Sequence, residues 1–351
     1  MAPAATTTPL SLLTATKASL EALKAASPNT PIIDTTEKMQ AYLAENDIKL
    51  LLFDCDGVIY RSTTPTSPRL TSTLAALQSD PALKLAFVTN SSGKSREQCH
   101  EKMKDVTGID TFTSQQFFPA GYSAAKYLKN NHPSIKKAYV IGGVGLVDSL
   151  EAEGISCVGG PIVDGKGGAY GAAGDYQYWV DDKGIEQLQC DEGVQAVVIG
   201  MAKDFNYRML TEATMYLTHK SSSFDGSKTL FLSTNLDPFD VIGGENRRQP
   251  AAGCMVKAVE FATDRESITV GKPSKALWDV IRSELEMEEL PPSKVLMIGD
   301  RRDTDIRFGN VCGMRTGVVL SGCTTSDDIL EMEKQTIDRA DVIIPHVGIM
   351  K

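Results

Sequence analysis

The chain has 351 residues, 42% of them hydrophobic and 23% charged, with a formal net charge of −9. This is ordinary globular composition, long enough for roughly two domains of about 100–200 residues each, and no run approaches the roughly 18–20 consecutive apolar residues of a bilayer-spanning helix. The acidic balance speaks against nucleic-acid binding, because no excess of cationic side chains exists to displace counterions from phosphates. Neither a membrane nor a nucleic acid is therefore an expected partner.

Residues 1–30 are rich in Ala, Thr and Ser and carry one acid, Glu21, and two lysines, Lys17 and Lys24. They read as an accessory segment, dispensable for activity and either a targeting peptide or a short amphipathic helix. An extension over 1–45 is expected, and with it a cytoplasmic location or, if the segment is a transit peptide, a chloroplast or other organelle. From Lys49 onward strands and helices alternate: strand Leu50–Phe53, helix Leu70–Gln78, strand Leu85–Val88, helix Ser95–Met103. A second cycle follows, with strand Ala138–Ile141, helix Leu146–Glu153, a turn-rich Gly159–Gly174 hairpin before Tyr176, Tyr178 and Trp179, strand Val197–Ile199, helix Tyr207–Leu217 and strand Leu230–Ser233. The first rhythm then returns: strand Ile268–Val270, helix Lys275–Leu285, strand Val295–Ile298, helix Thr304–Val311, strand Thr316–Leu320, helix Ser326–Lys334, strand Val342–Ile344. The pattern predicts an α/β fold: one parallel sheet assembled from both ends of the chain, with a second α/β domain inserted into it.

Chemistry first shows where the opening strand ends, at Asp54-Cys55-Asp56-Gly57. Residues two apart on a regular strand face the same side, and two crowded carboxylates are unfavourable without a cation. The pair alone fits either a solvated loop or an oxygen-rich site suited to magnesium. Thr89-Asn90-Ser91-Ser92, after the second strand, is a good helix N-cap and equally offers donors to a phosphate oxygen. Gly271-Lys272-Pro273-Ser274 places a lysine between a strand and a helix, where it is either a surface charge or a fixed cation. Gly299-Asp300-Arg301-Arg302-Asp303-Thr304-Asp305 again leaves an apolar strand with acids. In a parallel sheet all four segments would fall at the carboxyl ends of strands, where α/β folds place ligands.

Seven cysteines without a Cys-x-x-Cys pair and four scattered histidines suggest neither a zinc set nor a His-centred triad. Gly143-Val144-Gly145 follows a strand in the manner of a dinucleotide fingerprint, but Asp148 stands where the third glycine belongs, so a strand-to-helix turn is expected.

Taken together and in this order, the four segments resemble the signature motifs of the haloacid dehalogenase superfamily, from about residue 46 to the C-terminus. Within it the chain is most similar to the phosphoglycolate phosphatase and 4-nitrophenylphosphatase family, with Asp204–Tyr207 and Gly253–Glu260 as supporting stretches. Two departures stand out: Ser91 where the family often has a second asparagine, and Pro250-Ala251-Ala252-Gly253 where Pro-Gly-Thr-Gly is common. Only 35 positions separate Asp54 from Thr89 but 183 separate Thr89 from Lys272, so the large insertion follows the second motif. The resemblance then implies a Rossmann-like catalytic core over 46–130 and 267–351, and an α/β cap over 131–266.

The resemblance further implies a magnesium-dependent phosphatase of small phosphomonoesters. Asp54 would attack phosphorus and form an aspartyl-phosphate, while Asp56 would protonate the leaving oxygen and then activate water. Asp54, the backbone carbonyl of Asp56 and Asp300 would hold Mg2+. Thr89, Asn90 and Lys272 would bind the phosphoryl group, with Asp303, Asp305 and Gly57 supporting. The expected substrate is 2-phosphoglycolate, with Arg247 or Arg248 reading its carboxylate; glycerol phosphate, pyridoxal phosphate and 4-nitrophenyl phosphate are the alternatives. A homodimer formed through the cap is expected by analogy. The competing class, a non-catalytic regulatory protein of the same fold, is hard to reconcile with four intact motifs.

Overall fold

The computed structural model describes residues 23–24, 27, 29–161, 188–241, 247–325, 328–329 and 336–351. The expected helix over Ser326–Lys334 and the Gly-rich hairpin with Tyr176, Tyr178 and Trp179 fall largely outside these residues.

In chain order the structure begins with helix α1 (Thr36–Glu45), whose Thr35 cap accepts from the Lys38 N–H. Strand β1 (Leu50–Phe53) follows, then the short hairpin strands β2 (Tyr60–Arg61) and β3 (Thr64–Pro65), helix α2 (Leu70–Gln78), strand β4 (Lys84–Thr89), helix α3 (Arg96–Thr107) and strand β5 (Phe117–Pro119). Helix α4 (Ala120–Asn131), strand β6 (Lys137–Ile141), helix α5 (Val144–Ala152), strand β7 (Ser156–Gly159), strand β8 (Ala196–Ile199), helix α6 (Tyr207–Thr218) and strand β9 (Leu230–Ser233) come next. Strands β10 (Phe239–Val241) and β11 (Arg248–Pro250) precede helix α7 (Ala252–Thr263), strand β12 (Ile268–Thr269), helix α8 (Lys275–Glu284) and strand β13 (Val295–Gly299). The chain ends with a π-helical turn over Arg302–Ile306, helix α9 (Arg307–Cys312) and strands β14 (Arg315–Val319) and β15 (Val342–Ile344).

The chain divides into two compact units, one of Met1–Thr89, His100–Phe117 and Arg282–Lys351, the other of Asn90–Cys99 and Phe118–Ile281. In the first, a six-stranded sheet has the order β15-β14-β13-β1-β4-β5. Strands β15, β14, β13, β1 and β4 pair in parallel. Every residue of β1 and β13 is buried, as central strands covered on both faces require. The order runs outward from β1 to β4 on one side and from β13 to β15 on the other. The order in which strands are added therefore reverses between β1 and β13, and the crevice at such a reversal is where open α/β sheets bind ligands.

Part of the supposed accessory segment belongs to this unit. Pro31 and Ile33 exchange backbone hydrogen bonds with Ile343, at 2.9 Å each, and Leu23 and Ile32 pack against Ile306, Val318 and Ile343. Leu23 and residues 31–33 thus cover the β15 edge, where unpaired backbone groups would otherwise face solvent. A dispensable segment reaching to residue 30 is too long, because Leu23, Ser27 and Thr30 are buried.

The second unit carries a parallel five-stranded sheet, order β12-β9-β8-β6-β7. Alternate residues supply two cores. Tyr139, Ile141, Val197, Ile199 and Phe231 meet α6 and α7 on one face, while Ala138, Val140, Val198 and Leu232 meet α4 and α5 on the other. The expectation of one sheet bearing all four motifs fails at the third. Strand β12, which precedes Lys272, is the edge strand of this second sheet, beside β9.

Candidate active site

Asp54 follows β1 directly and donates its backbone N–H to Ile298 of β13 at 2.9 Å, while Asp300 follows β13. Parallel pairing at the reversal point thus delivers two carboxylates from remote sequence to neighbouring strand ends. Asp305, from the π-helical turn, joins them. All three side chains are buried and offer oxygens that lie within 4.8 Å of one another. At such a separation each carboxylate pair repels by roughly 3 kcal/mol for an effective dielectric of about 20, so a bound cation would stabilise the cluster. An all-oxygen donor set suits a hard divalent ion such as magnesium, and the residues present fit one.

Loop contacts fix the geometry. The Cys55 carbonyl accepts from Ile59 and Tyr60 N–H groups, and the Tyr60 carbonyl accepts from Gly57 N–H at 2.8 Å, closing the loop after Asp54. Gly57 adopts φ +87°, and a Cβ there would lie 2.3 Å from Asp300 Oδ2. A Cβ at Gly322 would lie 2.0 Å from the same oxygen, and the neighbouring Cys323 N–H donates to it at 2.7 Å. Asp300 therefore sits in a cradle that only glycine leaves open. Thr324 Oγ1 donates to the Asp300 carbonyl at 2.5 Å, and Ser321 Oγ to the Gly57 carbonyl at 2.8 Å. Asp305 Oδ2 accepts the N–H groups of Asp300 and Arg301 at 3.1 and 3.0 Å, so it shapes the loop that bears Asp300.

The other residues singled out in the sequence have varied surroundings. The Asp56 side chain is 59% exposed, and its Oδ1 accepts from Lys102 Nζ at 3.1 Å. The same ammonium lies 3.7 Å from the Tyr60 ring centroid. Asp303 is 52% exposed and pairs with Arg301 at 3.1 Å. Thr89 is buried at the end of β4. The Asn90 side chain donates to both oxygens of Asp237 at 3.1 Å, and its Oδ1 accepts the Lys272 N–H at 2.9 Å. Lys272 is itself buried.

Arg247 and Arg248 are exposed, and the Arg248 guanidinium lies 3.9 Å from the Phe239 ring centroid across the β10–β11 pair. The Pro250-Ala251-Ala252-Gly253 segment is a strand-to-helix junction, with Pro250 ending β11 and Ala252 opening α7.

Gly143 does cap a strand-to-helix turn. A Cβ at Gly143 would lie 3.2 Å from Gly93 Cα, one at Gly145 2.4 Å from the Lys94 carbonyl carbon, and one at Gly200 2.7 Å from Ser92 Oγ. The segment after Asn90 thus occupies the place a dinucleotide would need.

Sequence reading missed, in the second unit, Asn235 and Asp237 beside Asn90 and, in the first, Lys102 beside Asp56 and the Ser321–Thr324 loop beside Asp300. Only the last had a visible signal, a Ser-Gly pair directly after a strand.

A family model described as haloacid dehalogenase-like hydrolase matches residues 51–156, and one described as HAD-hydrolase-like matches residues 269–348. The chain is 36% identical to phosphoglycolate phosphatase 2 of Arabidopsis thaliana, over 82% of its own length and 87% of the relative's. It is 34% identical to the glycerol-3-phosphate phosphatase of Gallus gallus, over 88% and 90% of the two chains. A glycerol phosphate phosphatase from Mycobacterium tuberculosis, solved in complex with magnesium, is alike in fold, with a TM-score of 0.65 at 22% identity, covering 88% of this chain and 78% of that one.

Proposed function

Because this chain belongs to the haloacid dehalogenase-like hydrolases, as a phosphatase among them, we propose that it hydrolyses small phosphomonoesters with the Asp54 carboxylate as nucleophile. The observation that carries this reading is the buried Asp54, Asp300 and Asp305 cluster at the reversal point of the six-stranded sheet.

In this reading Asp54, the Asp56 carbonyl and Asp300 hold magnesium, with Asp305 setting the loop that bears Asp300. Bound there, the cation offsets the negative charge of the phosphoryl oxygens and of the carboxylates around it. The Asp54 carboxylate attacks phosphorus and forms an aspartyl-phosphate. The Asp56 carboxyl gives its proton to the departing alcohol oxygen, then takes one from the water that hydrolyses the intermediate. An exposed side chain on a loop suits that role, since it must reach both leaving group and water. The Thr89 hydroxyl and the Asn90 backbone N–H bind phosphoryl oxygens, and Lys272 supplies fixed positive charge. The Asn90 side chain, engaged with Asp237 and Lys272, has a different task. Asp303 stays in support through Arg301.

Residues 46–130 and 267–351 serve as catalytic core and 131–266 as a substrate-selecting cap, through which two copies associate. The chosen substrate is 2-phosphoglycolate, whose carboxylate calls for a cation such as Arg247 or Arg248, and the relatedness to phosphoglycolate phosphatase 2 supports that choice. The setting is the cytoplasm or a plastid; among the described residues no helix is long and apolar enough to cross a membrane.

Phosphate release from a panel of 2-phosphoglycolate, glycerol phosphate, pyridoxal phosphate and 4-nitrophenyl phosphate, with and without magnesium, tests the reading. The highest kcat/KM is expected for 2-phosphoglycolate, and only with magnesium. Full activity after exhaustive chelation contradicts the metal assignment, and a higher kcat/KM on another ester moves the substrate.

A further inference from the structure

We infer that Asp237 is a positioning residue for Lys272, acting through the side-chain amide of Asn90; the inference rests on the phosphate-binding role proposed for Lys272. Asn90 meets both backbone polar groups of Lys272: its Oδ1 accepts the Lys272 N–H at 2.9 Å, and its Nδ2 donates to the Lys272 carbonyl at 3.2 Å. An amide has two faces that differ only in which end donates, so this arrangement demands one of two orientations. Asp237 selects it. Both its carboxylate oxygens accept from Asn90 Nδ2 at 3.1 Å. A carboxylate only accepts, so the reversed amide would set oxygen against oxygen and at the same time turn an N–H toward the Lys272 N–H.

The loop after β9 holds this pair in place. Asn235 Nδ2 donates to the Asn90 carbonyl at 2.8 Å, and the Asp237 N–H donates to Asn235 Oδ1 at 3.1 Å. The Thr234 N–H donates to the Ile199 carbonyl of β8 at 2.8 Å, which ties the loop to the sheet. Gly271 comes so close to this loop that a Cβ there would lie 2.2 Å from the Thr234 carbonyl oxygen and 2.8 Å from Asn90 Oδ1. Backbone before and at Lys272 is thus clamped between the Thr234–Asp237 loop and Asn90. A lysine has four rotatable side-chain bonds, so fixing its backbone and burying its stem is how a fold aims its ammonium.

The test is steady-state kinetics with 4-nitrophenyl phosphate on the full chain and on Asp237→Ala, Lys272→Ala and the double variant, together with the rise in unfolding temperature that inorganic phosphate produces in each. Loss of a charge-assisted hydrogen bond should lower kcat/KM of Asp237→Ala by about 10- to 100-fold and shrink its phosphate-induced stabilisation. In the double variant, removing Asp237 should cost less than twofold beyond Lys272→Ala. If Asp237→Ala does not fold, Asp237→Asn, which keeps one acceptor, should show the same pattern with a smaller loss. Two results overturn the inference alone, beside a crippled Lys272→Ala enzyme: an Asp237 variant within twofold of the parent, or an equal loss in both backgrounds. A near-normal Lys272→Ala enzyme overturns the role of Lys272 and this inference with it.

Discussion

Replacing Gly57 by alanine puts the largest demand on the proposed metal site. The added Cβ would lie 2.3 Å from Asp300 Oδ2 and 2.7 Å from its Cγ, far inside van der Waals contact, and 3.1 Å from Gly322 Cα. Asp300 must then leave its cradle, carrying one of three clustered carboxylates out of place. Displacing groups that orient a metal ligand typically weakens metal binding by 10- to 100-fold, or about 1.4–2.7 kcal/mol. The backbone adds its own term, because an L-residue at φ +87° costs about 1–2 kcal/mol. Gly57→Ala should therefore fold, melt a few degrees lower, and need 10- to 100-fold more magnesium for half-maximal activity, with activity largely restored at saturation. Magnesium titration followed both by turnover and by unfolding temperature reads the two effects separately. An unchanged magnesium midpoint, by either readout, would refute the reasoning that Asp300 is a ligand held by this cradle.

Other consequences follow from separate parts of the molecule. Burial, with the charge of Arg69 adding to it, holds the His346 imidazole below its ordinary pKa of 6.5. The unfolded chain thus binds the proton first, and stability should fall as pH drops below about 6.5, by at most about 1.4 kcal/mol per pH unit for this one group. Denaturant titrations of the parent and His346→Gln between pH 7 and 5 should show a shallower fall in the variant; equal slopes would dismiss the histidine. Deleting residues 1–33 removes buried Leu23, Ile32 and Ile33, at about 1.5–3 kcal/mol per side chain, and should lower the unfolding temperature clearly, whereas a deletion ending at residue 22 keeps those contacts; equal melting of the two would show that the β15 edge needs no cover. Arg247→Ala or Arg248→Ala should penalise 2-phosphoglycolate over 4-nitrophenyl phosphate by about 10- to 150-fold in kcat/KM. Equal losses on both substrates would place carboxylate recognition elsewhere.

How far the sequence foretells the structure depends on what each segment buries. Strands β1, β9 and β15 and helix α2 have the expected limits because their apolar runs are sharply bounded. Helix α4 escapes pattern reading because the face it buries is Ala120, Gly121, Ser123, Ala124, Ala125 and Leu128, mostly small residues that are individually only weakly apolar. The helix expected over Thr304–Val311 begins instead as a π-helical turn, since Asp305 turns its carboxylate back onto the N–H groups of Asp300 and Arg301. Three motif segments follow strands of one sheet as expected, but strand β12 is too short and polar to announce which sheet it joins. Asp237 illustrates the limit most clearly. A lone acid in Asn235-Leu236-Asp237-Pro238 reads as a turn residue, and its importance comes from Asn90, 147 positions away in sequence.

The central claim is that Asp54 becomes phosphorylated during turnover. Rapid acid quenching of Asp56→Asn during reaction with 4-nitrophenyl phosphate, followed by digestion and mass analysis, tests it most directly, because that variant should form the intermediate yet hydrolyse it slowly. The expected result is a phosphoryl group on the peptide containing Asp54, lost on treatment with hydroxylamine. A variant that releases nitrophenol in a burst while that peptide stays unmodified, or carries the phosphoryl group on another residue, would contradict the mechanism.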